Sequence, residues 1–286
     1  MARPEAKAAV LTVDVGNSHT VLGVFAGERL LDLFRVTSGI PRTGDELRPL
    51  VESLIAPHRA ALERSRRAIL SSVVPSLTPA WEELLQRLWG ASPVVVSSRL
   101  DLGVALAVPD PASVGTDRIA NAVGVAHEYP LPAIVVDLGT TTNFDVVVPA
   151  GAPLASGKAT LPSYIGGAIA PGVTTSAEEL FRRGARLAKV EIRRPERAIG
   201  RTTQECIQAG VFLGAVGQID GLVDRIAAEL PGRPTVIATG GLAEALARDS
   251  RRITQVDPAL TLKGLRLIEE RNQPAATTRG RSKARR

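Results

Sequence analysis

The chain has 286 residues, with 35 Lys and Arg against 29 Asp and Glu, three His and one Cys. An apolar fraction of 44% and a mean hydropathy of +0.09 exclude wholesale disorder. The lone Cys excludes a disulfide framework and a cysteine-based zinc knuckle. The formal charge of +6 points to nucleic acid or an acidic membrane only if the basic residues sit in the folded part.

The first residues mix Arg3, Glu5 and Lys7 ahead of a short apolar run, which is not a signal peptide, so the cytoplasm is the expected compartment. Residues 8–13 are apolar and β-rich. Asp14-Val15-Gly16-Asn17-Ser18 follows, and 21–25 is apolar again, which predicts strand, tight turn and strand. Apolar spacing predicts helices over 43–54 and 79–89 and strands at 68–74 and 93–97. Gly115-Thr116-Asp117-Arg118 opens a helix predicted over 116–127, with Thr116 or Asp117 as its cap. Such a helix terminus is expected to lower the Asp117 pKa. At 133–148 the strand–turn–strand pattern returns around Asp137-Leu138-Gly139-Thr140-Thr141, 123 residues after its first appearance. A repeat of this kind predicts two domains of similar topology. The longest uncharged stretch, 159–177, is broken by Pro162, Pro171 and three Gly, so no membrane-spanning segment is expected. A long helix over 203–230 is expected to kink at Gly210, Gly214, Gly217 and Gly221. A strand at 235–238 enters Thr239-Gly240-Gly241, a helix follows, and an amphipathic helix covers 260–271. Alternating strands and helices make the chain α/β. Residues 273–286 are basic and lack acidic or large apolar residues, which predicts a disordered tail.

No G-x-G occurs, which excludes the dinucleotide-binding fingerprint. Gly157-Lys158 is no P-loop, because Ala152 and Ala159 stand at the required Gly and Ser/Thr positions. His19, His58 and His127 lack metal-ligand spacing. What remains is a set of turns rich in Gly, hydroxyl and carboxylate groups. Successive backbone N–H groups in such turns form anion-binding concavities. A carboxylate beside a phosphate holds the accompanying cation. One such turn alone reads more readily as an ordinary hairpin; two copies plus Thr239-Gly240-Gly241 favour phosphate. Adjacent Asp117 and Arg118 suit a small carboxylate-bearing alcohol, with Arg on the carboxylate and Asp on the hydroxyl. A loose phosphoryl-transfer transition state asks more for positioning than for strong deprotonation. Cys206 is expected in the core and Lys263 in solvent, and Lys158 and Lys189 carry no signature. His19 suits either a phosphate contact or solvent.

The motifs DVGNSHTVLGVF, TGDEL, SSVVPSL, VGTDRIANAVG, DLGTTTNFDVV, GGAIAPGV, SAEEL, IGRTTQECIQAG, ATGGLA and LTLKGLRLI occur in this order. Together they resemble the type III pantothenate kinases, which belong to the actin, hexokinase and heat-shock-70 ATPase superfamily. The resemblance implies two ribonuclease-H-like domains, at 8–114 and 115–272, with nucleotide in the interdomain cleft. It implies ATP-dependent phosphorylation of pantothenate to 4′-phosphopantothenate, the first step of coenzyme A synthesis. By the same resemblance Asp14, Val15, Gly16, Asn17, Ser18, His19, Thr20 and Val21 form the first phosphate loop, with Asp14 near magnesium. Thr140 touches ATP in the second loop, Gly240 and Gly241 lie near adenosine, and Asp137 binds a monovalent cation, potassium or ammonium. Gly115, Thr116, Asp117, Arg118 and Thr203 bind pantothenate, with Asp117 as proton acceptor. The resemblance also implies a homodimer in which pantothenate lies partly against the partner subunit. Val108 and Asp110 stand where the family has Tyr and Asn, and Leu138 and Asn143 where it has Phe and Thr. The alternative it admits is a non-catalytic transcriptional accessory protein. Against that, Arg279, Arg281, Lys283, Arg285 and Arg286 carry five of the six net charges, so the folded part is a poor footprint for nucleic acid.

Overall fold

The structure, a computed structural model, describes residues 8–155, 157–184 and 190–273. The tail expected at 273–286 lies, beyond Gln273, outside the described residues, as does Lys189. The predicted first hairpin is β1 (Ala9–Val15) and β2 (His19–Ala26), and β3 (Arg29–Thr37) extends it. The sequence reading passed over β3 because both its faces are largely exposed, which leaves no clean apolar alternation. Next come α1 (Gly44–Ile55), α2 (Arg59–Ser65), β4 (Arg67–Ser72), α3 (Thr78–Trp89) and β5 (Val94–Val95). Thr43 and Glu46 form a reciprocal capping box that sets the start of α1. The five strands lie in the order β3-β2-β1-β4-β5; the first three are antiparallel, and β4 and β5 run parallel to β1.

After β6 (Ala105–Leu106) and α4 (Thr116–Glu128) the plan repeats. β7 (Ala133–Leu138), β8 (Thr141–Val148) and β11 (Ser163–Pro171) are antiparallel neighbours. The small hairpin of β9 (Pro153–Leu154) and β10 (Gly157–Lys158) lies outside the sheet. Helices α5 (Val173–Arg183) and α6 (Thr203–Ala228) lead to β12 (Thr235–Thr239). Then follow α7 (Ala243–Ala247), β13 (Gln255–Val256) and α8 (Leu260–Arg271). Read from β11, this sheet runs β11-β8-β7-β12-β13, with β12 and β13 parallel to β7, and β6 added along its outer edge. Order and strand direction match the first sheet strand for strand. The duplication expected from two Asp-x-Gly turns is therefore a duplication of whole ribonuclease-H-like units.

Helices α4 and α8 lie between the two sheets and share one core with them. Val10, Phe25 and Ile69 of the first sheet join Val135, Val147 and Ile237 of the second around Ile119, Val123, Leu262 and Leu265. The helices touch backbone to backbone, since a Cβ on Gly264 would lie 1.9 Å from the Ala120 carbonyl oxygen. Arg67 of β4 donates from Nε to the buried Glu269 carboxylate at 2.8 Å, tying α8 to the first sheet.

Three expectations are corrected. Helix α6 runs unbroken over 26 residues. Its glycines stay helical because Phe212, Val216, Ile219 and Val223 pack on the second sheet. It is also long and apolar enough to cross a membrane by length and composition, which the sequence reading overlooked. Here it serves as a packed helix whose buried Asp220 accepts from Ser250 Oγ at 2.6 Å and from the Arg251 and Arg252 N–H groups. Cys206 is exposed on the first turn of α6, not in the core, because it lies where α6 opens, with Ile207 and Gly210, onto a surface groove. Lys263 is not free in solvent, since its Nζ donates to Asp257 at 2.7 Å.

Candidate active site

Each sheet ends its central strand in the same device. Asp14 is the penultimate residue of β1 and Asp137 of β7. After each comes a glycine whose N–H closes the turn, Gly16 onto the His19 carbonyl at 3.1 Å and Gly139 onto the Thr141 carbonyl at 3.0 Å. The two turns meet, with the Ser18 and Thr140 hydroxyls 2.8 Å apart. Between them opens a cleft of about 420 Å³. Asp14, Gly16, Asn17, Ser18, His19 and Val21 line it from one domain, and Asp137, Thr140, Gly240 and Gly241 from the other. Val15 and Thr20 face the core of the first domain instead, where the Thr20 hydroxyl bonds Ser38. Gly240 has φ +92°, and a Cβ there would sit 2.7 Å from the Leu138 carbonyl oxygen, so only glycine lets this loop close on the second turn.

Helix α5 begins beside the second turn. Gly172 is its N-cap, and a Cβ there would lie 2.3 Å from the Thr140 carbonyl oxygen. Thr175 donates to that same oxygen at 2.7 Å. The first turn of α5 therefore presents Thr174 and Thr175 to the cleft, a disposition suited to an anion. The sequence reading missed these two, along with Glu178, Thr261 and Arg35, because no turn signal marks them.

Asp117, at the start of α4, enters the same cleft. Its Oδ1 accepts from the Arg118 N–H at 2.8 Å and would lie 2.6 Å from a Cβ on Gly115, so a larger residue there would displace the Asp117 carboxylate. Gly115, not Thr116 or Asp117, is the N-cap, and the helix has no side-chain cap. Thr116 is committed elsewhere, its hydroxyl accepting from Ser71 Oγ and the Ser72 N–H, both at 3.0 Å. Arg118 lies to one side of the cleft. Its Nε donates to buried Asp145 at 2.7 Å and its guanidinium lies 5.7 Å from the Tyr164 ring centre. Thr203 is exposed at the start of α6 and does not line the cleft of its own chain. Val108 is half-buried and packs against the shared core. The Asp110 carboxylate accepts from the Ala112 N–H at 3.2 Å, a turn that Asn would form equally well.

Desolvation dominates the electrostatics. It raises the Asp14 carboxyl to about 7, with the charges of Asp117 and then Asp137 adding to it against a hydrogen bond from Ser71. Desolvation likewise raises Asp137 to about 6, against a hydrogen bond from Asn121. Asp117 is raised rather than lowered, because desolvation outweighs the backbone N–H of Arg118. This corrects the expectation of a depressed pKa, and it moves Asp117 toward a better proton acceptor at neutral pH.

The fold therefore holds protons on Asp14 and Asp137 that the unfolded chain releases near pH 4. Stability is full below that value and is lost as pH rises through about 6 to 7. The melting temperature of the ligand-free protein is expected to fall between pH 5 and 7.5, and to fall less in Asp14→Asn. Parallel melting curves for the two proteins across pH would discard this account. The cluster also fits a cation. Among the described residues no three acidic, His or Cys side chains form a closed metal cage. Magnesium needs none, binding through one or two carboxylates plus water and phosphate.

The type III pantothenate kinase family profile matches residues 10–225 of the chain. A type III pantothenate kinase of Moorella thermoacetica is 41% identical, over 92% of this chain and 99% of the relative. One from Streptomyces avermitilis is 43% identical over 92% and 98%. Among solved structures, a Campylobacter jejuni protein described as of the Baf family of transcriptional activators superposes with a TM-score of 0.54. That match covers 92% of this chain and 98% of the other at 17% identity, which speaks to the fold alone. The accessory-protein alternative is thus not favoured.

Proposed function

From the premise that the chain belongs to the type III pantothenate kinase family, we propose that it phosphorylates pantothenate with ATP. The products are 4′-phosphopantothenate and ADP, the opening step of coenzyme A synthesis, placed in the cytoplasm. The observation that carries the reading is one cleft holding two matched phosphate turns and the desolvated Asp117.

The backbone N–H groups of both turns, with Ser18, Thr140 and the start of α5, receive the triphosphate, and the Gly240-Gly241 loop takes the adenosine side. Asp14 would hold magnesium and Asp137 the monovalent cation; the ions offset phosphate charge that the carboxylates would otherwise repel. Asp117 accepts the proton of the primary hydroxyl as its oxygen bonds to the γ-phosphorus. The bond from that phosphorus to the bridging oxygen breaks in line, and ADP leaves. Arg118, steadied by Asp145, keeps both Nη groups without a protein partner among the described residues, free for the pantothenate carboxylate.

A homodimer accounts for Thr203, which would face the partner's cleft. In support, an apolar groove of about 540 Å³ runs along α6, lined by Ile207, Val211 and Ala215 with Val173 and Leu180 of α5. The reading is tested by ADP release with and without pantothenate, in potassium and in sodium. Release is expected to require pantothenate and to fall several-fold when sodium replaces potassium. ADP release indifferent to pantothenate would overturn the function, and indifference to the cation would remove Asp137 from ion binding.

A further inference from the structure

The cleft is short of positive charge. Among its described lining residues Asp14, Asp117, Asp137 and Glu178 are acidic, and Arg35 is the one permanent cation. A triphosphate brings roughly four negative charges, and one divalent with one monovalent ion offsets only about three. Near so many carboxylates, the remainder is well matched by a guanidinium, which pairs with phosphate through two parallel hydrogen bonds.

Strand register puts Arg35 where that need arises. Asp14 pairs with Val21 across β1 and β2, and Val21 pairs with Arg35 across β2 and β3. Residues directly opposite one another share a face, so Asp14 and Arg35 stand on the cleft side, two strand spacings or about 10 Å apart. Between them lies Val21, also lining the cleft. From the outer strand the Arg35 guanidinium reaches the other domain, since a Cβ on Gly241 would lie 3.4 Å from its Nη1. It makes no ion pair or hydrogen bond among the described residues, although Arg87, Arg194 and Arg252 all find carboxylates. The second sheet offers no counterpart. The same row there runs from Asp137 through Asn143 to Ile169, an apolar side chain 63% exposed. The cation therefore belongs to one copy of the repeat and not to the fold as such.

We propose that Arg35 is a phosphate-binding residue of this cleft. Its guanidinium takes non-bridging oxygens of the nucleotide's phosphate chain, between the Gly240-Gly241 loop and the magnesium side at Asp14. The assignment rests on the nucleotide reading above.

The test compares ADP and adenosine binding, by calorimetry with magnesium, in wild type, Arg35→Ala and Arg35→Lys. Arg35→Ala is expected to weaken ADP about 10- to 100-fold, the value of hydrogen bonds to a charged group. Adenosine affinity should stay within about twofold, and Lys should recover part of the loss. Circular dichroism of the exposed-site variants is expected to match wild type. Equal losses for ADP and adenosine, or undiminished ADP binding in Arg35→Ala, would overturn the role of Arg35 alone. Wild-type protein that binds no ADP would overturn the nucleotide reading and this role with it.

Discussion

Asp117→Asn is expected to lower turnover by roughly 10² to 10⁴-fold while leaving ATP affinity within a few-fold of wild type. Asn keeps the shape of the side chain and can still accept from the Arg118 N–H, as Asp117 Oδ1 does at 2.8 Å. It cannot accept a proton from an attacking hydroxyl. The loss should therefore fall on kcat rather than on ground-state binding. ATP affinity is spared because the phosphate turns, from Gly16 to His19 and from Gly139 to Thr141, do not depend on Asp117 for their closure. Steady-state kinetics in both substrates decides the matter. Turnover within a few-fold of wild type would take Asp117 out of the chemistry.

Gly264→Ala is expected to be among the most damaging single-methyl additions in the protein. A Cβ would enter within 1.9 Å of the Ala120 carbonyl oxygen and 2.7 Å of its carbon, backbone atoms that cannot step aside. Helices α4 and α8 would have to separate, and the core they share with both sheets would loosen. Overpacking of this kind costs about 1–3 kcal/mol, and a backbone clash belongs at or above the upper end. Gly217→Ala, in α6, is the control. A Cβ there meets nothing within 4 Å. The change should stabilise the helix by roughly 0.5–1 kcal/mol through backbone propensity. Denaturant unfolding of both variants tests the pair; Gly264→Ala as stable as wild type would show that the helices can part without cost.

The pattern from strand to turn to strand, written at 8–25 and again at 133–148, was enough to announce two related halves and to place a carboxylate at the end of each central strand. That was legible because strand burial and turn chemistry act over a few neighbouring residues. The extent of the repeat was not legible. β3 and β11 complete the two matching sheets, yet β3 exposes most of its side chains and β11 carries the pair Gly166-Gly167 and then alternates half-buried with exposed residues. Strands of this kind are held by ladder hydrogen bonds to a neighbour, and a single segment of sequence carries little trace of them.

The site divides the same way. Asp14, Ser18, Asp117, Asp137, Thr140, Gly240 and Gly241 announce themselves, because a turn glycine or a helix-opening acid is a local event. Which of the flagged residues face a common space is a matter of packing. Assembly brought Arg35 of β3 and Thr174 and Thr175 of α5 into the cleft, and left Arg118 beside Asp145 and Thr203 on the surface. The proton affinity of Asp117 shows the reason most plainly. Its helix terminus argued for a lowered pKa, but desolvation, which depends on every element around the cleft, reversed the sign. Residue type and short spacing settle what a group can do. The low-dielectric space made by distant segments settles what it does.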